Sequence, residues 1–166
     1  MQVVFRDLGE ADLDAVAALE AEVSDRPWSR QLFADELLVH HAQRHWLVAE
    51  QRLPQPAILG FGGMMYSLED AHLMNVAVQP ECQRSGVGRR LVANLVLEAL
   101  ERGARNLTLE VRVSNTSAIA LYRRFRLAPV GSRPGYYPDG EDALILWAHD
   151  IDRADYRDLV AESLIS

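Results

Sequence analysis

Val76-Ala77-Val78, the turn Gly86-Val87-Gly88 and the helical pattern that begins at Val87 follow one another within sixteen residues, and no other stretch of the chain restricts its fold so tightly. From Val87 the residues Leu91, Leu95 and Ala99 recur on one helical face, and Gly103 supplies a C-terminal stop. Leu107 to Val113 then alternate as a second strand. A strand, a crossover helix and a returning strand form a βαβ unit, whose two strands run parallel. In the first turn of such a helix the N–H groups have no partner, the helix dipole favours an anion, and glycine lets that anion approach the backbone. Arg84, Arg89 and Arg90 add positive charge around the same turn. By itself the motif is equally compatible with a tight turn flanked by solvated arginines.

The chain on either side reads as antiparallel structure. Val3 to Phe5 alternate as a strand, and Leu13, Val16, Leu19 and Val23 follow at helical spacing until Arg26-Pro27. A second helix starts with Ser29 as N-cap and Trp28 placed to staple onto Phe33, its apolar face continuing through Leu37 and Leu38. Trp46 to Ala49 and Ala57 to Tyr66 are strands joined through Pro54 and Pro56, and Leu73 to Val78 adds a third. After the βαβ unit, Ser114 or Asn115 caps a helix carrying Ile119, Leu121 and Tyr122; strands return after Pro129 and at Ala143 to Trp147. Hairpins flanking a central βαβ unit predict an α/β domain over residues 1–150, with a mixed sheet of about six to seven strands flanked by helices. Residues 151–166 form an acidic amphipathic tail with Tyr156, Leu159, Val160 and Leu164, expected to pack on the body or on a partner.

All seventeen basic residues are arginine. Without lysine there is no Schiff-base or pyridoxal-phosphate enzyme, no P-loop nucleotidase and no protein kinase. Leu91 stands where a Rossmann fingerprint needs its third glycine. The net charge of −7 argues against broad nucleic-acid or anionic-membrane binding. The single Cys82 cannot form an internal disulfide, and with no apolar leader or spanning run the expected location is the cytoplasm. His41 and His45, four apart, look like helix-end histidines rather than half of a metal site, because Ala42 replaces the glutamate of the zinc-protease pattern. Cys82 with His72 could be imagined as a thiol pair, but a small residue in a turn is the simpler reading. No metal is expected.

Gln83-x-x-Gly86-x-Gly88 after Val76-Ala77-Val78, in this order of elements, resembles the pyrophosphate loop of the GNAT acetyltransferases. Further stretches narrow the likeness: Pro27-Trp28-Ser29, Leu109-Glu110-Val111-Arg112-x-Ser114-Asn115, Ala118-Ile119-Ala120-Leu121-Tyr122, and Tyr136-Tyr137 followed by Glu141-Asp142-Ala143. Together they are similar to the RimI type, which acetylates the N-terminal alanine of a small-subunit ribosomal protein. The resemblance implies acetyl-CoA as donor, with Val76, Ala77 and Val78 hydrogen-bonding the pantetheine arm. Arg84, Ser85, Gly86, Val87, Gly88 and Arg89 would wrap the pyrophosphate, and Asn115 would add a cofactor contact. It also implies Glu110 as proton acceptor and Tyr122 as proton donor, with Trp28, Tyr136 and Tyr137 shaping the peptide entrance. The chain departs from the pattern at Arg126-Leu127, where the family carries Gly-Phe, and the tail has no counterpart.

That chemistry suits the residues. An N-terminal amine with a pKa of about 8 is roughly a tenth neutral at pH 7, whereas a lysine amine costs on the order of 4 to 5 kcal/mol to deprotonate. One carboxylate therefore suffices for an α-amine, and burial in an apolar strand would make Glu110 a better base. A phenol can return a proton to the departing thiolate. A GNAT acting on lysine or a small amine, and a CoA-binding module without turnover, remain open alternatives at this point.

Overall fold

Among the described residues, seven strands form one sheet in which a single neighbouring pair is parallel and every other pair antiparallel. The computed structural model describes residues 2–165; Met1 and Ser166, which begin the expected domain and end the expected tail, lie outside the described residues. The strands are β1 (Gln2–Asp7), β2 (Arg44–Leu53), β3 (Ala57–Ser67), β4 (Asp70–Val78), β5 (Asn106–Arg112), β6 (Ala128–Arg133) and β7 (Ala143–His149), in the sheet order β1-β2-β3-β4-β5-β7-β6 with β4 and β5 as the parallel pair. The helices are α1 (Leu13–Val23), α2 (Arg30–Leu38), α3 (Val87–Glu101), α4 (Thr116–Arg123) and α5 (Ala154–Ile165). This is the expected mixed sheet around a βαβ centre, here β4-α3-β5.

The sheet is covered on both faces, and the alternation of β2 shows how. Trp46 and Val48 point into a core with Leu13, Val16, Leu19, Phe33 and Phe61 beneath α1 and α2. Leu47 and Ala49 point the other way, into a larger core with Leu91, Leu95 and Val96 of α3. Period-two alternation with both sets apolar is what a strand buried on both sides requires. The caps read from sequence are present. Ser29 accepts from the Leu32 amide at 3.1 Å, and the Trp28 and Phe33 rings lie 5.3 Å apart, a hydrophobic staple. Asn115 likewise accepts from the Ala118 amide at 3.2 Å at the start of α4.

The functional consequence of the topology lies between β4 and β5. These two pair only through Asp70, Ala71 and His72 opposite Asn106, Leu107 and Thr108. Immediately beyond, Met74 is an extra residue in β4 against β3, since Leu73 faces Met64 and Asn75 faces Gly63. Such a bulge increases local twist and ends regular pairing. The remainder of β4 stays bonded to β3 on one side and turns an open backbone edge toward a gap on the other.

Two histidines sit differently from the sequence expectation. α2 ends at Leu38 because Val39 is already extended, leaving His41 in a turn; His45 lies in β2, its Nε2 3.0 Å from Asp7 across the β1–β2 pair. Neither is helical, and β-pairing rather than a helix dipole places His45. The tail forms α5, and Ile151, Tyr156 and Val160 are buried in the same core as α3. Among the described residues, no helix is long and apolar enough to cross a membrane.

Candidate active site

A cleft of about 580 Å³ opens where β4 and β5 part. The open edge of β4 at Val76, Ala77 and Val78 forms one wall, and the first turn of α3 with the loop before it forms the end. Asn115 and the face of α4 that includes Tyr122 form the opposite wall. Three guanidinium groups, Arg84, Arg89 and Arg124, line it. Successive backbone amides of a strand point to alternate sides, so part of the polar backbone of Val76–Val78 faces this space and requires a partner there.

The α3 end of the cleft is built by backbone conformation. Gly86 caps α3 with φ of 88°, a left-handed geometry that costs an L-residue roughly 1–2 kcal/mol. Glycine has no side chain with which to cap the amides of Val87, Gly88 and Arg89, and Arg90 is the first residue of the helix to donate internally, to the Gly86 carbonyl at 3.0 Å. A Cβ at Gly88 would meet Val78 at 3.4 Å and Leu121 at 3.7 Å, an ordinary fit, so the chain itself does not demand glycine there. What a bare Gly88 does is keep the cleft floor clear for a close-fitting ligand. Arg89 adds a direct sign of an absent acceptor: its Nε is buried without a hydrogen-bond partner. A buried unpaired donor costs about 1–3 kcal/mol, which an anion at this position would recover. These features fit the pyrophosphate and amide groups of acetyl-CoA. Two residues of the expected set contribute differently: the Val87 side chain is buried in the core, and the Ser85 hydroxyl donates to the Cys82 carbonyl. Neither residue is among those that line the cleft, and what either could offer a ligand there is its backbone amide.

Glu110 projects from β5 just past the last β4–β5 pair, its side chain 15% exposed. The strand around it is apolar as expected, with Leu107, Leu109 and Val111 buried, but the carboxylate itself has polar partners. One carboxylate oxygen lies 2.9 Å from His72 Nε2 of β4 and the other 3.4 Å from the Arg133 guanidinium of β6. His72, considered from sequence beside Cys82, is thus a partner of Glu110. The pairing follows from register, because His72 faces Thr108, two residues before Glu110 on the same face of β5.

Tyr122 is buried on α4, and desolvation, with a smaller contribution from Tyr137, pushes its pKa up to about 12. Tyr137 lies within electrostatic reach of both Tyr122 and Glu110. Its own pKa is raised, first by burial and against the effect of Arg112, whose guanidinium lies 4.0 Å from its ring centre. Arg112 also bonds Asp139 at 2.8 Å and Glu141 at 3.0 Å, so the Tyr136-Tyr137 loop is fastened to β5. Tyr136 packs edge-on against Tyr137 and is half exposed. Trp28 stands away from the cleft lining, within an aromatic cluster with Phe33 and Trp46. Its amide donates to buried Glu20, whose other oxygen accepts from Asn75 of β4. Sequence reasoning missed His72, Arg133 and Arg124. Arg124 could have been found from its place one turn beyond Ala120 on the cleft face of α4. Among the described residues, no three His, Cys, Asp or Glu side chains come together to hold a metal ion.

The turn after α4 carries the departure seen in sequence. Arg126 has φ of 58°, the left-handed position usually taken by glycine at a helix end, at a cost of order 1 kcal/mol. The Tyr122 carbonyl accepts from Phe125 at 2.9 Å and Leu127 at 3.3 Å to close this turn.

The comparisons with known proteins agree with this geometry. A profile of the acetyltransferase (GNAT) family matches residues 12–126. The ribosomal protein bS18-alanine N-acetyltransferase of Escherichia coli strain K12 is 37% identical over 142 residues, covering 84% of this chain and 92% of the relative. Its counterpart in Salmonella typhimurium is 36% identical over 145 residues, with coverage of 84% and 92%. The crystal structure of the ribosomal-protein-S18-alanine N-acetyltransferase from Escherichia coli superposes with a TM-score of 0.79 at 34% identity, covering 90% of this chain and 94% of that one. The structure of Ard1 from Thermoplasma volcanium, at 22% identity, shares the fold with a TM-score of 0.81, covering 90% and 98%. With a family profile spanning most of its length and relatives this similar, the chain belongs to the GNAT acetyltransferase family, as an acetyl-CoA-dependent N-acetyltransferase of the RimI type.

Proposed function

We propose that this enzyme acetylates the N-terminal α-amine of a protein, the N-terminal alanine of ribosomal protein bS18, with Glu110 as proton acceptor and Tyr122 as proton donor. The carrying observation is the carboxylate of Glu110, held by His72 and Arg133 where the sheet splits, in the neighbourhood Tyr137 shares with Tyr122. The activity named for the Escherichia coli and Salmonella relatives supports the choice of substrate.

Acetyl-CoA supplies an activated thioester. The open edge of Val76, Ala77 and Val78 binds its pantetheine amides, and Asn115 lies along the same arm. Arg84, Arg89 and the amides from Ser85 through Gly88 hold its pyrophosphate, which directs the acetyl end toward the split between β4 and β5. The incoming α-amine passes the loop of Tyr136 and Tyr137 and the aromatic cluster that contains Trp28. Glu110 takes its proton, with His72 and Arg133 fixing the carboxylate's orientation. The neutral nitrogen then attacks the thioester carbonyl, the carbon–sulfur bond breaks with Tyr122 protonating the departing sulfur, and the second proton shed by the nitrogen restores the phenol. A phenol near 12 stands about 3.5 units above a thiol of about 8.5, an uphill step of about 5 kcal/mol; exclusion of water raises the thiol's pKa as well and narrows that gap.

Purified enzyme incubated with acetyl-CoA and peptides that differ in their first two residues tests this reading. Lysine-containing peptides blocked at the N-terminus serve as controls. The expected result is acetylation of the free N-terminus, fastest with alanine first and the bS18 sequence following. Acetylation confined to the blocked lysine peptides would overturn it.

A further inference from the structure

We propose that Tyr156, in the helical tail, is a positioning residue that sets the place of Tyr122 in the cleft. The inference rests on the reading of Tyr122 as proton donor. α4 has eight residues, too short to hold its own end rigid, and Tyr122 is its penultimate residue. Besides its own packing in the core, what fixes the orientation of Tyr122 is therefore the turn from Tyr122 to Leu127. On the core side that turn is anchored by Phe125 and Leu127, both buried.

On the other side it is held by α5. The Tyr156 hydroxyl donates to the Phe125 carbonyl at 2.9 Å, and the bond is buried. This carbonyl lies just past the C-terminus of α4, in the turn that closes it, and belongs to the peptide that leads into left-handed Arg126. The Arg126 guanidinium bonds the Asp155 carboxylate at 2.7 Å and sits 5.9 Å from the centre of the Tyr156 ring. The first turn of α5 thus holds both the carbonyl and the side chain of the strained step. The remainder of α5 packs on α3, the helix whose N-terminus forms the phosphate end of the cleft. Where glycine would adopt this turn without strain, an arginine has been placed, and the tail supplies the contacts that hold it.

The test compares Tyr122→Phe, Tyr156→Phe, Arg126→Gly and the double variant Tyr156→Phe/Arg126→Gly in steady-state assays on an alanine-first peptide. Acetyl-CoA affinity and unfolding midpoint are measured on each, and assays run well below the midpoint so that loss of folded protein does not count. Tyr156→Phe should lower kcat about five- to tenfold while the KM for acetyl-CoA stays within twofold. Arg126→Gly alone should retain wild-type kcat. In the double variant, glycine should restore kcat to within twofold of wild type, because the turn no longer needs to be held; a merely stabilising Tyr156 would show no such rescue. Asp155→Lys, an exposed change that pushes on Arg126 from solvent, should cost two- to threefold in kcat, and it carries the test should Tyr156→Phe not fold. Wild-type kcat in Tyr156→Phe and Asp155→Lys, with Tyr122→Phe strongly impaired, would overturn the positioning role and leave the donor role standing. Wild-type kcat in Tyr122→Phe would overturn the donor role and this inference with it.

Discussion

Glu110→Gln separates proton acceptance from everything else the side chain does. The amide keeps the shape of the carboxylate and an oxygen that can still accept from His72 Nε2, 2.9 Å away in the native pair. Arg133, the other partner, is 54% exposed, so water covers the lost charge and the stability change should stay below about 1 kcal/mol. The loss should therefore be chemical, of the 10²- to 10⁴-fold size typical of a removed general base. Its pH dependence gives a sharper figure. An α-amine with a pKa of about 8 goes from roughly a tenth neutral at pH 7 to roughly nine-tenths at pH 9. On the proposed mechanism the wild type takes the proton from the bound ammonium and gains little over that range. The variant must wait for amine that is already neutral, so its kcat/KM should rise about tenfold. Initial rates of CoA thiol release at pH 7, 8 and 9, with saturating acetyl-CoA, measure this directly. A deficit that stays constant with pH, accompanied by weaker acetyl-CoA binding, would refute the assignment and make Glu110 a structural support of the cleft.

Arg89→Met removes a buried donor that has no partner in the free protein, so the unfolding midpoint should hold or rise. Acetyl-CoA binding measured by calorimetry should at the same time weaken at least tenfold. Gly86→Ala forces an L-residue to φ of 88°; a cost of about 1–2 kcal/mol should lower the thermal midpoint by roughly 3–7 °C. Asp12 is buried, and its carboxyl is held below the ordinary 3.8 chiefly by hydrogen bonds from Arg6. A depressed folded-state value means that the contribution of Asp12 to stability is complete above about pH 4 and disappears as pH falls through the lowered value. Asp12→Asn should thus reduce the denaturant midpoint clearly at pH 7, and by progressively less as the pH is taken down below about 4.

Much of the fold was legible because its signals are local. The strand at Trp46-Leu47-Val48-Ala49, the caps at Ser29 and Asn115, the glycine turn at Gly86 and the stop at Gly103 each depend on residues a few positions apart. The wall of the cleft was legible for the same reason, since the strand, loop and helix that form it are consecutive. What stayed hidden depends on register between distant segments. The pairing of β4 with β5 ends at His72 and Thr108, and this both opens the cleft and sets His72 against Glu110. Nothing in either strand's own pattern states where pairing stops. His45 misled because its spacing from His41 suits a helix, whereas its partner Asp7 lies on β1. Arg126 and the tail stood out separately in the sequence as departures from the family pattern. The structure joins them, because Asp155 and Tyr156 contact the turn that Arg126 strains.

The measurement that tests the central claim most directly uses one peptide with a free N-terminal alanine and a single internal lysine, so that both amines compete under identical conditions. Mass spectrometric mapping of the acetyl group at pH 7, early in the reaction, gives the ratio of the two rates. Because the lysine amine costs on the order of 4 to 5 kcal/mol to deprotonate against little more than 1 for the α-amine, a site with one carboxylate acceptor should acetylate the N-terminus almost exclusively. Lysine acetylation at an equal or greater rate would contradict the account.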